Sequence, residues 1–435
     1  MIDRRSLLAA GVATGIAAST DSLAAVTARR FPNGFLWGAA TAGHQVEGNN
    51  INADCWLLEN VKPTIFAEPS RDAANSFNLW GNDLDLVRRM GLNTYRFSLE
   101  WARIEPEEGL FSVAMLDHYK AMIEACRARG ITPMVTFNHF TTPRWFAALG
   151  GWGNARSVAL FARYCDTAAR HLAAHIGYAT TLNEPNLAGK LQNLLPPQFL
   201  AGDKAMGQAA ARAMGVAQFA AGNALYVADL NTVQKNLIAG HKAGRAAIKA
   251  VRPDLPVGVS LAMFDDQAVG PNSLRDTKRA YFYGDWLNAV RGDDFLGVQN
   301  YERNRWTDTG KLDPPADARR NTIGAEVYAP SLAGVVRYAH AATGVPIIVT
   351  EHGVGSDDDT LRAWLIPEAL KHLHAAMAEG VPVKGYVHWS LIDNFEWVFG
   401  YRIHFGLHSL NRQTFARTAK PSAKIYGAIA RANAI

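Results

Sequence analysis

The sequence has little cysteine and no recognisable metal-binding pattern. Its 435 residues include three cysteines, Cys55, Cys126 and Cys165, and none lies in a Cys-x-x-Cys pair. Three thiols cannot form an even disulfide framework, so we expect buried free thiols. The 13 histidines show no His-Glu-x-x-His or similar paired spacing. The sequence therefore predicts no metal site.

Blocks of like charge and long apolar runs are also missing. The 44 Lys and Arg residues and 39 Asp and Glu residues leave a net charge of +5, and they are scattered along the chain. This distribution is typical of a solvated surface, and it does not favour a nucleic-acid partner. No stretch is apolar enough to predict a membrane span, so we expect no stable membrane association. An apolar fraction of 49% is that of an ordinary globular protein.

Residues 1–28 differ in character from the rest of the chain. The pair Arg4-Arg5 precedes a weakly apolar run at 9–19, and small-residue cleavage motifs end at Ala24 and Ala28. A basic start, an apolar run and such a site are typical of a secretory signal, and paired arginines indicate the bacterial twin-arginine route. The alternative is an N-terminal helix of the fold. We predict a cleaved signal over 1–28 and export to a bacterial periplasm.

From residue 31 onward, short apolar runs alternate with longer helical patterns. Strands are predicted at 35–40, 94–99, 133–138, 179–183, 257–261, 296–300, 347–350 and 385–389, and helices at 84–90, 114–129, 158–174, 236–251, 332–342, 361–379 and 422–432. Strands without polar alternation, separated by helices, predict a parallel sheet buried on both faces. Eight such units favour a closed (β/α)8 TIM barrel over an open sheet.

Two segments are less periodic, at 187–235 and 262–294. We interpret both as loop insertions between barrel elements, so that residues 29–435 form a single α/β domain. No Gly-x-Gly-x-x-Gly pattern follows the first strand, which weighs against a dinucleotide-binding fold.

Two glutamates stand where a barrel of this kind performs its chemistry, at the C-terminal ends of the strands. Glu184 follows the fourth predicted strand and Glu351 follows the seventh. Each alone has a structural interpretation, as a helix-cap neighbour or a surface acid. Together, two carboxylates across a barrel mouth are what glycoside hydrolysis requires, one to protonate the leaving oxygen and one to attack or activate water.

Further polar and aromatic side chains lie near the same strand ends. They are Gln45, Arg96, His139, Asn183, Tyr301, Trp389, Glu396 and Trp397. Amides, carboxylates and an imidazole suit sugar hydroxyls, and indole faces suit the C–H surface of a sugar ring. Arg96 lies inside an apolar strand, where it would be costly without an acidic partner. We expect that partner to be Glu351.

Several ordered motifs between residue 31 and about residue 430 resemble glycoside hydrolase family 1, the β-glucosidase family. They are FPNGFLWGAAT (31–41), QVEG (45–48), YRFS (95–98), TLNEP (181–185), VTE (349–351), WSLIDNFEW (389–397), FGL (405–407) and KPSAK (420–424). The resemblance implies a retaining β-glycosidase on a (β/α)8 barrel, with no cofactor or metal and with a small glycoside or oligosaccharide as substrate.

The resemblance also implies a role for each site residue. Glu184 would be the acid/base and Glu351 the nucleophile, with their carboxyl groups about 5–5.5 Å apart as retention requires. Arg96 and Tyr301 would keep Glu351 ionised, and that charge would raise the pKa of Glu184. By the same resemblance, the sugar would be bound by Gln45, His139, Asn183, Glu396 and Trp397, with Trp389 as its stacking floor.

The motifs also separate branches of the family. Glu184 favours an O-glycosidase over a thioglucosidase, and the intact NFEW segment (394–397) favours an unphosphorylated sugar. The chain departs from the family pattern at Phe140, His352 and His404 and in the loop after Pro185, so the leaving-group preference does not carry over.

The leading hypothesis is hydrolysis of terminal β-D-glucosyl residues. The alternatives are another specificity (galactoside, fucoside or mannoside), transglycosylation, or a non-catalytic sugar-binding barrel. The sequence indicates no oligomeric state.

Overall fold

The computed structural model describes residues 29–435, so the predicted signal segment lies outside the described residues. Twelve strands are present in this range. They are β1 (Leu36–Ala40), β2 (Thr94–Ser98), β3 (Thr132–Asn138), β4 (Tyr178–Asn183), β5 (Val257–Ala262), β6 (Asp265–Ala268), β7 (Leu296–Asn300), β8 (Arg303–Trp306), β9 (Ile347–His352), β10 (Val383–Trp389), β11 (His408–Leu410) and β12 (Arg417–Ala419).

Eight of these strands form a closed parallel barrel in the order β1-β2-β3-β4-β5-β7-β9-β10, with β10 pairing back onto β1. All eight predicted strands are therefore confirmed, as is the barrel. The other four strands form two small sheets, β6 with β8 and β11 with β12. Because the barrel strands are parallel, their C-terminal ends meet at one mouth.

Fourteen α-helices accompany the strands. They are α1 (Gly43–Val46), α2 (Asp54–Asn60), α3 (Ser76–Met90), α4 (Trp101–Ile104), α5 (Val113–Ala128), α6 (Arg144–Ala148), α7 (Ser157–Leu172), α8 (Leu187–Leu194), α9 (Pro197–Met214), α10 (Leu230–Val251), α11 (Arg275–Ala289), α12 (Ser331–Thr343), α13 (Asp359–Ala378) and α14 (Pro421–Ala432). The helices that connect or follow the barrel strands and pack outside them are α3, α5, α7, α10, α11, α12, α13 and α14.

Helix α10 shows why these segments form helices. Its buried side chains include Leu237, His241 and Ile248, which recur at helical spacing on one face. Gly244 lies on the same face and permits close packing on α7, since a Cβ there would lie 2.9 Å from the Phe161 ring. At the N-terminus, the Asp229 carboxylate accepts the backbone N–H of Thr232 at 3.0 Å and caps the helix.

The interpretation of the two irregular segments is half right. Residues 187–235 contain α8, α9 and the start of α10, so most of this segment is an insertion between β4 and the fourth barrel helix. Residues 262–294 contain β6 but also α11, which is the fifth barrel helix, so the insertion interpretation is wrong there. Helix α11 buries a narrow stripe beginning at Phe282 and Tyr283 within a strongly polar sequence, which is why its periodicity is weak.

The barrel separates two apolar layers. Outward-facing strand residues pack against the helices in one large cluster, and inward-facing residues fill the barrel with a smaller cluster that includes Leu36, Met134 and Ile348. The three cysteines are buried and free, as predicted. Among residues 29–435, no helix is long and apolar enough to cross a membrane.

The packing inside the barrel predicts that shortening one of its side chains lowers the stability of the protein. Ile348 is fully buried inside the barrel, so Ile348→Ala removes apolar contacts and leaves a cavity. We expect the free energy of unfolding to fall by about 2–4 kcal/mol, measured by chemical denaturation. The control is Ile323→Ala at a side chain that is 54% exposed, where we expect a change of less than about 0.5 kcal/mol. Equal effects at the two positions would contradict a packed barrel interior.

Candidate active site

Glu351 lies at the end of β9 and is held by two side chains, one from β2 and one from the segment after β7. Arg96 of β2 donates from Nη1 to Glu351 Oε1 at 2.6 Å, and the Tyr301 hydroxyl after β7 donates to Oε2 at 2.7 Å. Arg96 is fully buried, so its charge would be strongly unfavourable without this carboxylate. The pairing that the sequence predicted is therefore confirmed.

Asn183, the last residue of β4, extends this network. Its Oδ1 accepts Arg96 Nη2 at 2.5 Å and Gln299 Nε2 at 2.8 Å. Both donors fix the orientation of the amide, and they leave Asn183 Nδ2 buried with no hydrogen-bond partner among residues 29–435. Since buried polar groups are normally satisfied, this free donor indicates a place for a ligand acceptor.

Glu184 follows Asn183 directly and has a different environment. Its backbone is in the left-handed region, with φ of +44°, and its N–H donates to Ser260 O at 2.8 Å. The carboxyl group has no hydrogen-bond partner in the described part of the chain. Such a conformation is uncommon for a residue other than glycine and is found where a side chain must be aimed. The acid is therefore presented without a fixed partner, in reach of a substrate.

The two carboxyl groups also differ in proton affinity. The pKa of Glu184 is raised to about 8, first by burial and second by the negative charge of Glu351, while the charges of Lys190 and Arg96 oppose the rise. Burial is thus the larger cause of the raised pKa, ahead of the charge of Glu351 that the family resemblance implied. At neutral pH Glu184 carries a proton.

Glu351 is also buried, and burial raises its pKa against the opposing effects of the Arg96 charge and the Tyr301 hydrogen bond. The two glutamates therefore compete for protons as a pair. Because the guanidinium of Arg96 contacts Glu351 and not Glu184, the negative charge of the pair belongs on Glu351.

The predicted sugar-binding residues form one connected wall beside this pair. Gln45 Nε2 contacts Glu396 Oε2 at 3.3 Å, and the His139 ring stacks on those of Trp389 and Trp397 at 5.7 and 6.3 Å between centroids. Burial, with the charge of Glu351, raises the pKa of Glu396 to about 8.

Two further atoms in this wall are buried without a hydrogen-bond partner in the described range, Gln45 Oε1 and His139 Nδ1. With Asn183 Nδ2 they form a set of unsatisfied polar groups around the carboxylates. All ten predicted site residues are therefore gathered at one barrel mouth.

The departures from the family pattern have separate explanations. His352 Nδ1 and Tyr386 Oη share a hydrogen bond of 2.8 Å. Burial lowers the pKa of His352 to about 3, so its ring is neutral and packs in the interior. His404 pairs with Asp357 at 2.6 Å. Phe140 packs edge-on against Trp397, 5.4 Å between centroids, and so remains part of the wall.

Two residues that the sequence interpretation missed lie against the site. Gln299 orients Asn183, and the signal for it was a polar side chain in an otherwise apolar strand, the same signal that singled out Arg96. Lys190 lies buried on α8, six residues after Glu184. No local pattern distinguishes it, because it stands in a segment interpreted only as an insertion.

A cavity of about 520 Å³ adjoins Glu184 on the side of the insertion. Phe140 and Leu182 contribute to the barrel side of this cavity, and α8 and α9 contribute apolar side chains such as Leu187, Leu191 and Met206. The insertion therefore builds a largely apolar space next to the acid.

Comparison with known proteins gives a consistent result. The profile described as Glycosyl hydrolase family 1 matches residues 27–278 and 315–435. A beta-glucosidase of Agrobacterium sp. is 30% identical, over 93% of this chain and 96% of its own length.

Solved structures agree as well. The beta-glycosidase BGL167 is 44% identical with a TM-score of 0.87, covering 93% of this chain and 98% of that one. The apo beta-glucosidase 1317 is 38% identical with a TM-score of 0.88, covering 92% and 98%.

The buried ion pair predicts strong coupling between two substitutions. Arg96→Met leaves Glu351 buried without its cation, and we expect a loss of about 3–5 kcal/mol in the free energy of unfolding. Combining it with Glu351→Gln removes the uncompensated charge, so the double variant should lose clearly less than the sum of the single variants. A double-mutant cycle by chemical denaturation measures this, and additive losses would show that the pair is not energetically coupled.

Proposed function

The chain belongs to glycosyl hydrolase family 1, and from this membership we propose that it hydrolyses terminal β-D-glucosyl residues from small glycosides with retention of configuration. One observation carries the proposal. Glu351 is held by Arg96 and Tyr301, while the neighbouring Glu184 is protonated and has no hydrogen-bond partner for its carboxyl group among residues 29–435. A fixed anion beside an unengaged acid supports a nucleophile and a general acid.

In the first step, a Glu351 oxygen attacks the anomeric carbon while Glu184 donates its proton to the glycosidic oxygen. The bond between the anomeric carbon and that oxygen breaks, the aglycone leaves as an alcohol, and a glycosyl ester forms on Glu351. In the second step, Glu184 takes a proton from water and the water oxygen attacks the anomeric carbon. The ester breaks, Glu351 becomes an anion again and Glu184 regains its proton.

The charges of the site support this alternation. While Glu351 is an anion, burial and its charge keep the pKa of Glu184 high enough for an acid. Once the ester forms, that charge is gone, the pKa of Glu184 falls and its carboxylate can act as a base. The same residue therefore serves both steps because the first step changes its neighbour.

The unsatisfied polar atoms support a sugar as the bound group. Gln45 Oε1 can accept a hydroxyl proton, and Asn183 Nδ2 can donate to a hydroxyl oxygen. Trp389 supplies an aromatic face beside them. Glu396 places a carboxyl group in the same wall, and its carboxylate form would repel a phosphorylated sugar.

The cavity beside Glu184 supports an apolar leaving group. Leu187, Leu191 and Met206 give it apolar surface from α8 and α9, and such surface favours an aryl or alkyl aglycone over a second sugar, which carries more hydroxyl groups.

Turnover of nitrophenyl β-D-glucoside by the protein tests the proposal. We expect Glu351→Gln to lower kcat by at least about a thousandfold, and Glu379→Gln, at an exposed carboxylate, to leave it unchanged. Proton NMR should show the β-anomer of glucose as the first product, and cellobiose should be a poorer substrate than the aryl glucoside.

Other outcomes would point elsewhere. A higher kcat/KM for β-galactosides, β-fucosides or β-mannosides would contradict the glucoside assignment, and the α-anomer as first product would contradict retention. A folded protein that binds sugars but turns over none of these β-glycosides would support the sugar-binding alternative.

We also propose that the protein is exported through its twin-arginine signal. The pair Arg4-Arg5, the apolar run and the two small-residue motifs support this. N-terminal sequencing of the protein recovered from periplasmic fractions should give a start near Ala24 or Ala28, and Arg4→Lys with Arg5→Lys should leave the precursor in the cytoplasm. An uncleaved wild-type N-terminus in the cytoplasm would contradict the proposal.

A further inference from the structure

Helix α8 buries a lysine rather than one of its leucines. Lys190 is 2% exposed. Its Nζ donates to Ala262 O at 2.8 Å and lies 3.8 Å from the centroid of the Phe264 ring. Within residues 29–435, no carboxylate forms a direct ion pair with it. The Tyr283 ring lies farther away, with its centroid 5.7 Å from Nζ. A buried ammonium with one hydrogen bond and two aromatic rings near it is costly, so its position calls for a functional explanation.

Lys190 and Glu184 are attached to the same edge of β5. The Glu184 N–H donates to Ser260 O, and Lys190 donates to Ala262 O. Carbonyl groups two residues apart in a strand point to the same side and are separated by about 6.6 Å. Asn186 reinforces this attachment, since its amide exchanges two hydrogen bonds with the backbone of Ala262, at 2.9 and 3.0 Å. The strand therefore holds the ammonium of Lys190 and the backbone of Glu184 on one edge, and Glu184 is the acid whose charge acts most strongly on Lys190.

The charged and titratable groups around Glu184 come from several elements of the barrel mouth. They are Glu351 of β9, Arg96 of β2, Lys190 of α8, Glu396 after β10 and Tyr301 after β7. Of the two cations, Lys190 lowers the pKa of Glu184 more than Arg96 does. Arg96 is already engaged by Glu351 and Asn183. Lys190 is thus the cation that acts mainly on the acid.

A structural alternative must be weighed, because Lys190 also faces Asp266 of β6 and Glu302 after β7. Asp266 is already hydrogen-bonded by Tyr283, Asn304 and Trp306, and Glu302 is near Lys311 as well. These acids therefore have other partners, whereas the Glu184 carboxyl group has none in the described residues. If Lys190 served only as their counter-ion, its loss would change stability and not the protonation of Glu184.

We propose that Lys190 is a positioning residue that acts through Glu184: its buried ammonium stabilises the carboxylate form of Glu184, which the second step requires as a base. This inference rests on the proposed function. It assigns to the insertion a part in the chemistry, in addition to forming the wall of the cavity.

The sign of the effect follows from the charge. Without the ammonium, Glu184 binds its proton more tightly, so its pKa rises both in the free enzyme and in the glycosyl-enzyme. The alkaline limb of kcat/KM, where the free enzyme loses the acid proton, should move to higher pH. The acid limb of kcat, where the glycosyl-enzyme loses the base, should move the same way. We expect a shift of about one pH unit at the acid limb. The shift at the alkaline limb should be smaller, because burial lowers the pKa of Lys190 to about 8 and part of its charge is already lost there.

The test compares Lys190→Met, Lys190→Arg and wild type on two substrates. Hydrolysis of phenyl β-D-glucoside needs the acid in the first step, so the pH profile of its kcat/KM measures the alkaline limb. Dinitrophenyl β-D-glucoside has a good leaving group, so the second step limits kcat. For Lys190→Met at neutral pH we expect kcat and KM for the dinitrophenyl glucoside to fall together, by about three- to tenfold, because the glycosyl-enzyme accumulates. Lys190→Arg keeps the charge and should restore both limbs.

Several results would overturn the inference. Superimposable pH profiles of Lys190→Met and wild type would show a structural role, as would an arginine variant that shifts as far as the methionine variant. If Lys190→Met does not fold, Lys190→Gln takes its place, because it keeps a donor for Ala262 O without the charge. The same two limbs of its pH profiles are then compared with those of wild type. A wild-type protein inert toward dinitrophenyl β-D-glucoside would contradict the proposed function itself, independently of Lys190.

Discussion

The structure depends on a buried charge pair at the centre of a barrel. Arg96 is buried inside the barrel on β2, where a guanidinium is tolerated only because Glu351 on β9 and Asn183 on β4 accept its hydrogen bonds. Three strands of the barrel are thereby joined by one side chain. The closed sheet provides the rigidity, and the pair determines where the negative charge lies. Tyr301 and Gln299 complete the arrangement by fixing Glu351 and Asn183.

This arrangement makes the second glutamate useful. Two buried carboxyl groups close together cannot both ionise easily, and a cation that contacts only one of them favours ionisation of that one. Arg96 decides which of them is the anion. Glu184, whose backbone is in the left-handed region and whose carboxyl group has no hydrogen-bond partner among residues 29–435, then carries the proton. The difference between the two acids is therefore a property of their surroundings and not of their chemistry.

The insertion after β4 adds a second level of control. It places α8 and α9 between β4 and the fourth barrel helix, and it encloses a cavity beside Glu184. It also brings the ammonium of Lys190 to the edge of β5. In the proposed function, the barrel would supply the sugar wall and the nucleophile, and the insertion would supply the surroundings of the leaving group and of the acid. This division is common in barrels, where loops at the C-terminal end vary on a constant scaffold.

The sequence by itself determined the barrel and most of the site. Buried parallel strands are continuous apolar runs, so all eight were readable, and polar residues at their ends were conspicuous against that background. Arg96 and its acid could be paired because an arginine in an apolar strand has few tolerable environments. The fifth barrel helix was missed because α11 carries only a narrow apolar stripe in a polar sequence.

Only the tertiary structure decided the remaining features. The unsatisfied atoms of Gln45, His139 and Asn183, and the position of Lys190 beside Glu184, depend on which groups from distant segments share one enclosed space. Burial rather than charge alone raises the pKa of Glu184, and burial is a property of the folded chain. The local sequence pattern shows which residues have side chains suited to acid-base chemistry or to binding. Their pKa values and their hydrogen-bond partners depend on neighbours that folding brings together.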